Sequence, residues 1–330
     1  MIRPQSTLVV GAGVSGLTCA VRLLESGRAV RIVAAAPPEA TTSMVAAALW
    51  YPYQTGPPEE VLGWCARSLE VFGELAREGA ATGVRMVEGI EVVAATTRFP
   101  DWATVVPGFR AAHPRELPVG FDRGFHFRVP VMEMPRYLAW LRARVEALGG
   151  RFEWRELGSV DEALDEADVV VNCTGLGARE LAADGEVYAI RGQVLRVDCR
   201  AARRILLDER GAPDVAYVVP RSSDVVLGGS ASRGREDLRA DPVESAAILE
   251  RCAALEPALE GARTLSVAVG LRPGRDRVRL EVEQREGGKV LAHDYGHGGA
   301  GVTLSWGCAD ELVRLLNASR SAEPSEVLGR

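Results

Sequence analysis

Gly11, Gly13 and Gly16 fall in the spacing G-x-G-x-x-G, between the apolar run Thr7–Val10 and a stretch whose apolar residues Leu17, Ala20, Val21 and Leu24 recur at helical intervals. Glycines at such a turn let backbone N–H groups approach a pyrophosphate at the positive end of a helix. The string alone also fits a tight structural turn, and its strand–turn–helix setting is what favours a dinucleotide. A second cluster, Gly296, Gly298, Gly299 and Gly301, stands directly before another helical pattern, from about Gly301 to Asn317. It offers backbone to an anionic or carbonyl-bearing ring. The two clusters imply a cofactor spanned by both ends of the chain.

Which dinucleotide is a separate question. The second strand, Val30–Val33, ends in Ala34-Ala35-Ala36, where a dinucleotide site normally places an acid on a ribose hydroxyl. No arginine follows directly to receive a 2′-phosphate, so both nicotinamide readings lose weight. Arg272, in "VGLRP", is the cation best suited to a carboxylate ligand: a guanidinium makes two parallel hydrogen bonds and stays charged, and Pro273 biases it toward an extended backbone. Its alternative is a structural salt bridge. Arg275 is a poorer candidate, and Arg277 and Arg279 alternate with Val278, Leu280 and Val282 as on the wet face of a strand. The four histidines, His113, His126, His293 and His297, show neither a Ser-His-Asp order nor a metal spacing, so no metal is expected. The six cysteines lie far apart without a C-x-x-C and read as buried free thiols.

The elements that must carry these residues form an α/β pattern with an interruption. A helix is expected over Val61–Glu78, then short β-like runs at Arg85–Val87 and Ile90–Thr97 and loops from Arg98 to Pro130. A helix from Glu133, a strand Arg151–Arg155 and a buried strand Val169–Val171 return to the first sheet. Strands dominate Arg191–Val282, with one helix near Pro242–Ala254, and a last strand covers Lys289–Ala292. The fold expected is a discontinuous Rossmann-like domain (1–80, 135–190 and 284–330) with a mostly antiparallel α+β substrate domain (81–134 and 191–283). The tail from Ala318 is expected to fray. A net charge of -6 argues against nucleic acid. No apolar run reaches the roughly 18 to 20 residues of a membrane span, and "MIRPQS" enters a strand without a signal-peptide core. A cytoplasmic protein is expected, with room for a homodimer.

The stretches "VVGAGVSGL", "TTSMVAAALWYPY", "DVVVNCTG", "GLRPGRDRVRLEVE" and "HDYGHGGAGVTLSWGCA" together resemble the D-amino acid oxidase family, from about Leu8 to Leu316. The resemblance implies non-covalent FAD. Val10, Gly11, Ala12, Gly13, Val14, Ser15 and Gly16 would hold its pyrophosphate, with hydroxyls from Thr41, Thr42 and Ser43. Ala35, Leu157, Thr174 and Gly175 would also touch it, Ala35 meeting the ribose only through backbone or water. Ala47, Ala48 and Leu49 would line the flavin edge, and Gly298, Gly299, Gly301, Val302 and Thr303 its pyrimidine end. Arg272 would grip the substrate carboxylate, Tyr217 would add a hydrogen bond, and the Gly299 carbonyl would accept from the amino group. The implied reaction is hydride transfer from the substrate Cα to flavin without a protein base, then reoxidation by molecular oxygen to hydrogen peroxide, the imino acid hydrolysing to a 2-oxo acid and ammonia.

The chain departs from that family in places. Pro213 stands where vertebrate members carry a lid tyrosine, Tyr51 where glutamine is usual, and Ala300 where a bulky residue is usual. Ala231 occupies the place of an arginine that marks the D-aspartate branch, although Arg221 and Arg233 are close in sequence. Neutral, apolar D-amino acids are the expected substrates, with Leu49, Tyr51, Tyr53, Val219 and Tyr217 as pocket walls. A glycine or secondary-amine oxidase, a D-aspartate oxidase, a nicotinamide-dependent reductase and a non-catalytic FAD sensor are the alternatives. The last residues, "EVLGR", lack a peroxisomal S-K-L address.

Overall fold

The apolar run after Ser6 is the first strand, β1 (Ser6–Val10), of a computed structural model that describes residues 6–53, 58–211 and 215–321. Helix α1 (Val14–Glu25) follows, and its N-cap Gly13 has no side chain to offer. Ser43 Oγ takes that role from across the turn, accepting from the Val14 N–H at 3.1 Å. Next come β2 (Ala29–Ala34), the single turn α2 (Thr42–Val45) and the long helix α3 (Pro58–Arg77).

The interruption is more regular than its sequence indicates. The two short runs expected at Arg85–Val87 and Ile90–Thr97 are one strand, β3 (Val84–Val92). Gly89 sits inside it because the Phe127 ring covers that point: a Cβ there would lie 2.4 Å from the ring. After β4 (Arg110–Ala111), the stretch read as loop up to Pro130 contains a nine-residue strand, β5 (Gly124–Met132). Phe125, Phe127, Val129 and Val131 are all buried on it, and the Pro130 carbonyl accepts from Trp50 N–H at 2.8 Å. The proline concealed a period-2 pattern.

The chain continues through α4 (Met134–Ala147), β6 (Arg151–Trp154), α5 (Val160–Glu166), β7 (Val169–Asn172) and the short α6 (Ala178–Leu181). Ser159 caps α5 by accepting from Glu162 N–H. Strands β8 (Tyr188–Asp198), β9 (Ile205–Asp208), β10 (Ala216–Pro220), β11 (Val225–Gly228) and β12 (Ser232–Arg233) precede α7 (Pro242–Leu255), which Asp241 caps. The 22-residue strand β13 (Arg263–Gln284), β14 (Val290–His297) and α8 (Gly301–Ser321) complete the chain. Strand β14 runs well past the expected Ala292. Asp294 and His297 break its apolar pattern but are buried and bonded to each other at 3.0 Å.

One sheet runs in the order β4-β5-β3-β9-β10-β11-β8-β13-β14-β7-β1-β2-β6, with β12 beside β8. From β14 to β6 all neighbours are parallel, while β13, β8, β11, β10 and β9 are antiparallel to one another. Strand β13 joins the two parts, pairing with β8 up to Gly274 and with β14 beyond it. The core lies between the parallel strands and α1, α3, α4 and α8, where Val9, Leu17, Ile32 and Leu304 are at most 1 % exposed. Each such side chain contributes roughly 1.5–3 kcal/mol. Gly307 lets α8 cross α3 closely, since a Cβ would lie 2.2 Å from Trp64 O. Among the described residues no helix is long and apolar enough to cross a membrane. None of the six cysteines is in a disulfide; all are buried except the half-buried Cys199.

Candidate functional site

A cavity of about 820 Å³ opens at the carboxyl ends of β1, β2 and β7 and runs to β8, β10 and β13. Clefts of roughly 300–1,000 Å³ at this position in a parallel sheet are where α/β folds bind ligands. Gly11 begins its floor with φ of +110°, and a Cβ there would lie 2.6 Å from Cys173 O. Gly16 lies behind the wall, not in it: its Cβ would sit 2.0 Å from Gly11 O. Its absent side chain lets α1 close on the turn, which corrects its placement against the ligand.

Val10, Ala12, Gly13, Val14 and Ser15 form the wall beside that turn, and Ala35, Leu157, Thr174 and Gly175 line the same end. Thr41, Thr42 and Ser43 do so too, but their hydroxyls already serve the protein. Thr41 donates to Pro38 O, Thr42 donates to Leu271 O, and Ser43 caps α1. Thr174 donates to Asn172 Oδ1 at 2.7 Å, which shapes the central turn. Around the rim Arg31, Glu153, Arg155, Glu162 and Glu166 pair with one another.

Further in, Ala47, Ala48 and Leu49 face Gly298, Gly299, Gly301, Val302 and Thr303 across the cavity. Gly298 takes φ of +54°, and its N–H donates to Pro273 O at 2.8 Å, tying the glycine turn to the strand that carries Arg272. Thr303 Oγ1 accepts from Tyr51 N–H and donates to Tyr51 O, both at 3.1 Å. Its hydroxyl therefore positions Tyr51. Beneath the turn, Cys19 donates to Asp294 Oδ2 at 3.2 Å, and the Cys173 thiol together with burial holds Cys19 far above the usual thiol range. His293 is pushed down to about 4, by burial first and then by Arg279, so its imidazole stays neutral.

Arg272 lies where β13 changes partners, and its guanidinium packs flat on β8. A Cβ on Gly192 would lie 2.4 Å from that guanidinium, and Nη1 donates to Ser230 O at 2.9 Å. No carboxylate among the described residues forms an ion pair with it, so the salt-bridge alternative fails. Tyr217 crosses Gly228 and Gly229, where a Cβ would meet its ring at 2.1 and 2.5 Å. Burial pushes its hydroxyl up, against the opposing Arg272 charge, which keeps it a donor. Gly192 and Ser230, which hold Arg272, and Gly228, which makes room for Tyr217, are positions that sequence reasoning missed. The "LGG" string was the one available signal.

Tyr51 and Tyr53 line the cavity beside Leu207, Glu209 and Val215. Val219 does not: it is 0 % exposed and packs in the core, a correction to its expected role as a pocket wall. It points to the same face of β10 as Tyr217, but about 7 Å further along the strand. Arg221 is locked to Asp224 at 2.7 Å, and Arg233 lies over the Tyr188 ring; neither reaches the cavity. Arg279 is no wet-face residue, since it donates to Tyr295 OH at 2.7 Å. Pro213 lies outside the described residues.

A long cleft with a glycine cradle at one end and an unneutralised arginine at the other fits a flavin dinucleotide with a carboxylate substrate beside its ring. A family model described as FAD dependent oxidoreductase matches residues 6–315. The D-amino-acid oxidase of Rubrobacter xylanophilus is 52% identical over 315 residues, covering 95% of this chain and 96% of its own. That of Streptomyces coelicolor is 44% identical, covering 95% and 97%. Among solved structures, the glycine oxidase from Geobacillus kaustophilus superposes with a TM-score of 0.76 at 18% identity, covering 95% of each chain, a likeness of fold. The chain belongs to the D-amino acid oxidase family of FAD-dependent oxidoreductases.

Proposed function

We propose that the cavity oxidatively deaminates D-amino acids whose side chain begins with an aliphatic stretch, neutral ones included. The observation that carries this is Arg272, charged, pinned by Ser230 O, and without a carboxylate partner among the described residues. Its fork and the Tyr217 hydroxyl hold the substrate carboxylate, and the Gly299 carbonyl accepts from the amino group. Leu49, Tyr53, Leu207 and Val215 receive the side chain. Three of the four substituents on the α-carbon are then placed, so the fourth, hydrogen, faces the cofactor in one enantiomer only.

FAD, when bound along the cavity, would supply the two-electron oxidising capacity for loss of the α-hydrogen as hydride, with molecular oxygen as the final acceptor giving hydrogen peroxide. The protein contributes orientation and exclusion of water. The imino acid leaves and hydrolyses to a 2-oxo acid and ammonia. D-aspartate is disfavoured, because the side-chain end of the cavity carries Glu209 and no free cation among the described residues.

The test is anaerobic bleaching of the purified yellow protein. D-leucine is expected to bleach it, while L-leucine, glycine, sarcosine and D-aspartate are slow or inert. Faster bleaching by glycine or sarcosine would move the protein to amine oxidation. Faster bleaching by D-aspartate would overturn the side-chain reading.

A further inference from the structure

Glu91 on β3 and Glu209 just beyond β9 are acids without a cation. Glu91 is 9 % exposed; its Oε1 accepts from Tyr51 OH at 3.2 Å, and its Oε2 is buried without a hydrogen-bond partner. Glu209 is half-buried, lines the cavity and acts on the same tyrosine hydroxyl. Among the described residues no lysine or arginine pairs with either, while Asp208 next door is bound by Arg210 at 2.8 Å. A buried carboxylate left unpaired costs free energy that a ligand of opposite charge would recover.

Sheet register places this pair relative to Arg272. Glu91 pairs with Leu207 and Leu207 with Tyr217, so their side chains share one face in a row across β3, β9 and β10, which ends where Tyr217 meets Gly228 on β11. Strands lie about 4.8 Å apart, which puts Glu91 roughly 10 Å from Tyr217 between backbones. An extended lysine side chain separates its ammonium from its carboxylate by six bonds of about 1.5 Å, about 7 Å end to end. Leu207, lining the cavity between the two, would cover the aliphatic stem.

We propose that Glu209, joined to the buried Glu91 through the Tyr51 hydroxyl they share, forms a cation subsite at the far end of the substrate pocket, selecting D-amino acids whose aliphatic side chain ends in an ammonium or guanidinium. This rests on the reading that the cavity binds D-amino acids. Tyr51 is the hinge of the subsite, its hydroxyl shared by both carboxylates and its backbone clamped by Thr303.

D-lysine and D-norleucine differ at the side-chain terminus, ammonium against methyl, so their kcat/KM ratio in the holoenzyme isolates that contact. The ratio is expected to exceed about tenfold in the wild type, and to fall toward one in Glu209→Gln and in Glu91→Gln. Retained flavin absorbance shows that each variant is folded. Without any variant, 6-aminohexanoate should compete better than hexanoate against D-norleucine. A wild-type ratio below one, a ratio that neither substitution moves, or equal inhibition by the two acids would overturn the subsite. If neither D-lysine nor D-norleucine bleaches the flavin, the D-amino acid reading itself fails.

Discussion

The two ends of the cavity treat charge in opposite ways. At the β2 and β6 end, Arg31, Glu153, Arg155, Glu162 and Glu166 satisfy one another close to solvent, with Arg31 reaching Glu166 at 2.7 Å and Arg155 reaching Glu153 at 2.6 Å. Exposed pairs of this kind contribute little each, roughly 0–1 kcal/mol, and they hold loops in place. At the β10 and β13 end, Glu91 is buried and Arg272 and Glu209 are half-buried, and none has an opposite charge among the described residues. A folded chain keeps unbalanced buried charge only where something else balances it, and perturbed groups gather at functional sites for that reason. The rim is complete in itself, and the inner end is completed by substrate.

The sharpest way to break that contrast is Arg272→Ala. The substrate carboxylate would lose a two-pronged charged partner, and KM for a D-amino acid is expected to rise by about 100-fold or more while FAD stays bound. Steady-state peroxide release with the flavin spectrum as control measures both. An unchanged KM would mean that the inner charge is structural after all. Arg31→Ala, at the other end, should leave KM within about twofold, as an exposed pair predicts.

A second measurement reads the inner acids through stability. Burial, aided by the charge of Glu209, pushes Glu91 up to about 7 from its ordinary 4.5. A raised carboxyl keeps its proton in the folded chain where the unfolded chain has released it. Its stabilising contribution is therefore full below about pH 4.5 and is lost as pH rises through about 7. A shift of that size amounts to about 3 kcal/mol. Glu91→Gln should remove that loss, narrowing the gap in stability between pH 5 and pH 8 when unfolding is followed in denaturant. The rim acids predict the reverse sign: Arg31 holds Glu166 down and Arg155 holds Glu153 down, so their small contributions are lost toward acid.

How far the sequence carries depends on the same contrast. The glycine turn, the buried run Val169–Asn172 and the cluster before α8 are local patterns, and backbone near a helix terminus is legible wherever glycines must fall at fixed spacing. Arg272 was legible through the family motif around it. Gly192, Ser230, Glu91 and Glu209 were not, because the sheet joins β8, β3 and β9 to the site through register, and no spacing along the chain encodes register between distant strands. Val219 failed for a related reason. Strand alternation puts it on the face of Tyr217, but does not say where along β10 the cavity ends and the core begins.

The smallest effect is expected at Ala35, where the end of β2 meets the rim. The family's cofactor has a ribose to place there, and Ala35 is exposed with a methyl where an acid would accept from its hydroxyls. Ala35→Asp should tighten FAD by about threefold to tenfold, since a charged hydrogen bond is partly offset by the carboxylates already on the rim. Glu156 sharpens the experiment: it lines the same end of the cavity and, unlike its neighbours Glu153 and Glu162, forms no ion pair among the described residues. If Glu156 already holds the ribose, Ala35→Asp changes nothing and Glu156→Gln weakens FAD instead. Fluorescence titration of flavin-free protein with FAD separates the two. A loss on Glu156→Gln would also revise the contrast drawn above, because the rim would then hold one charge that waits for a ligand.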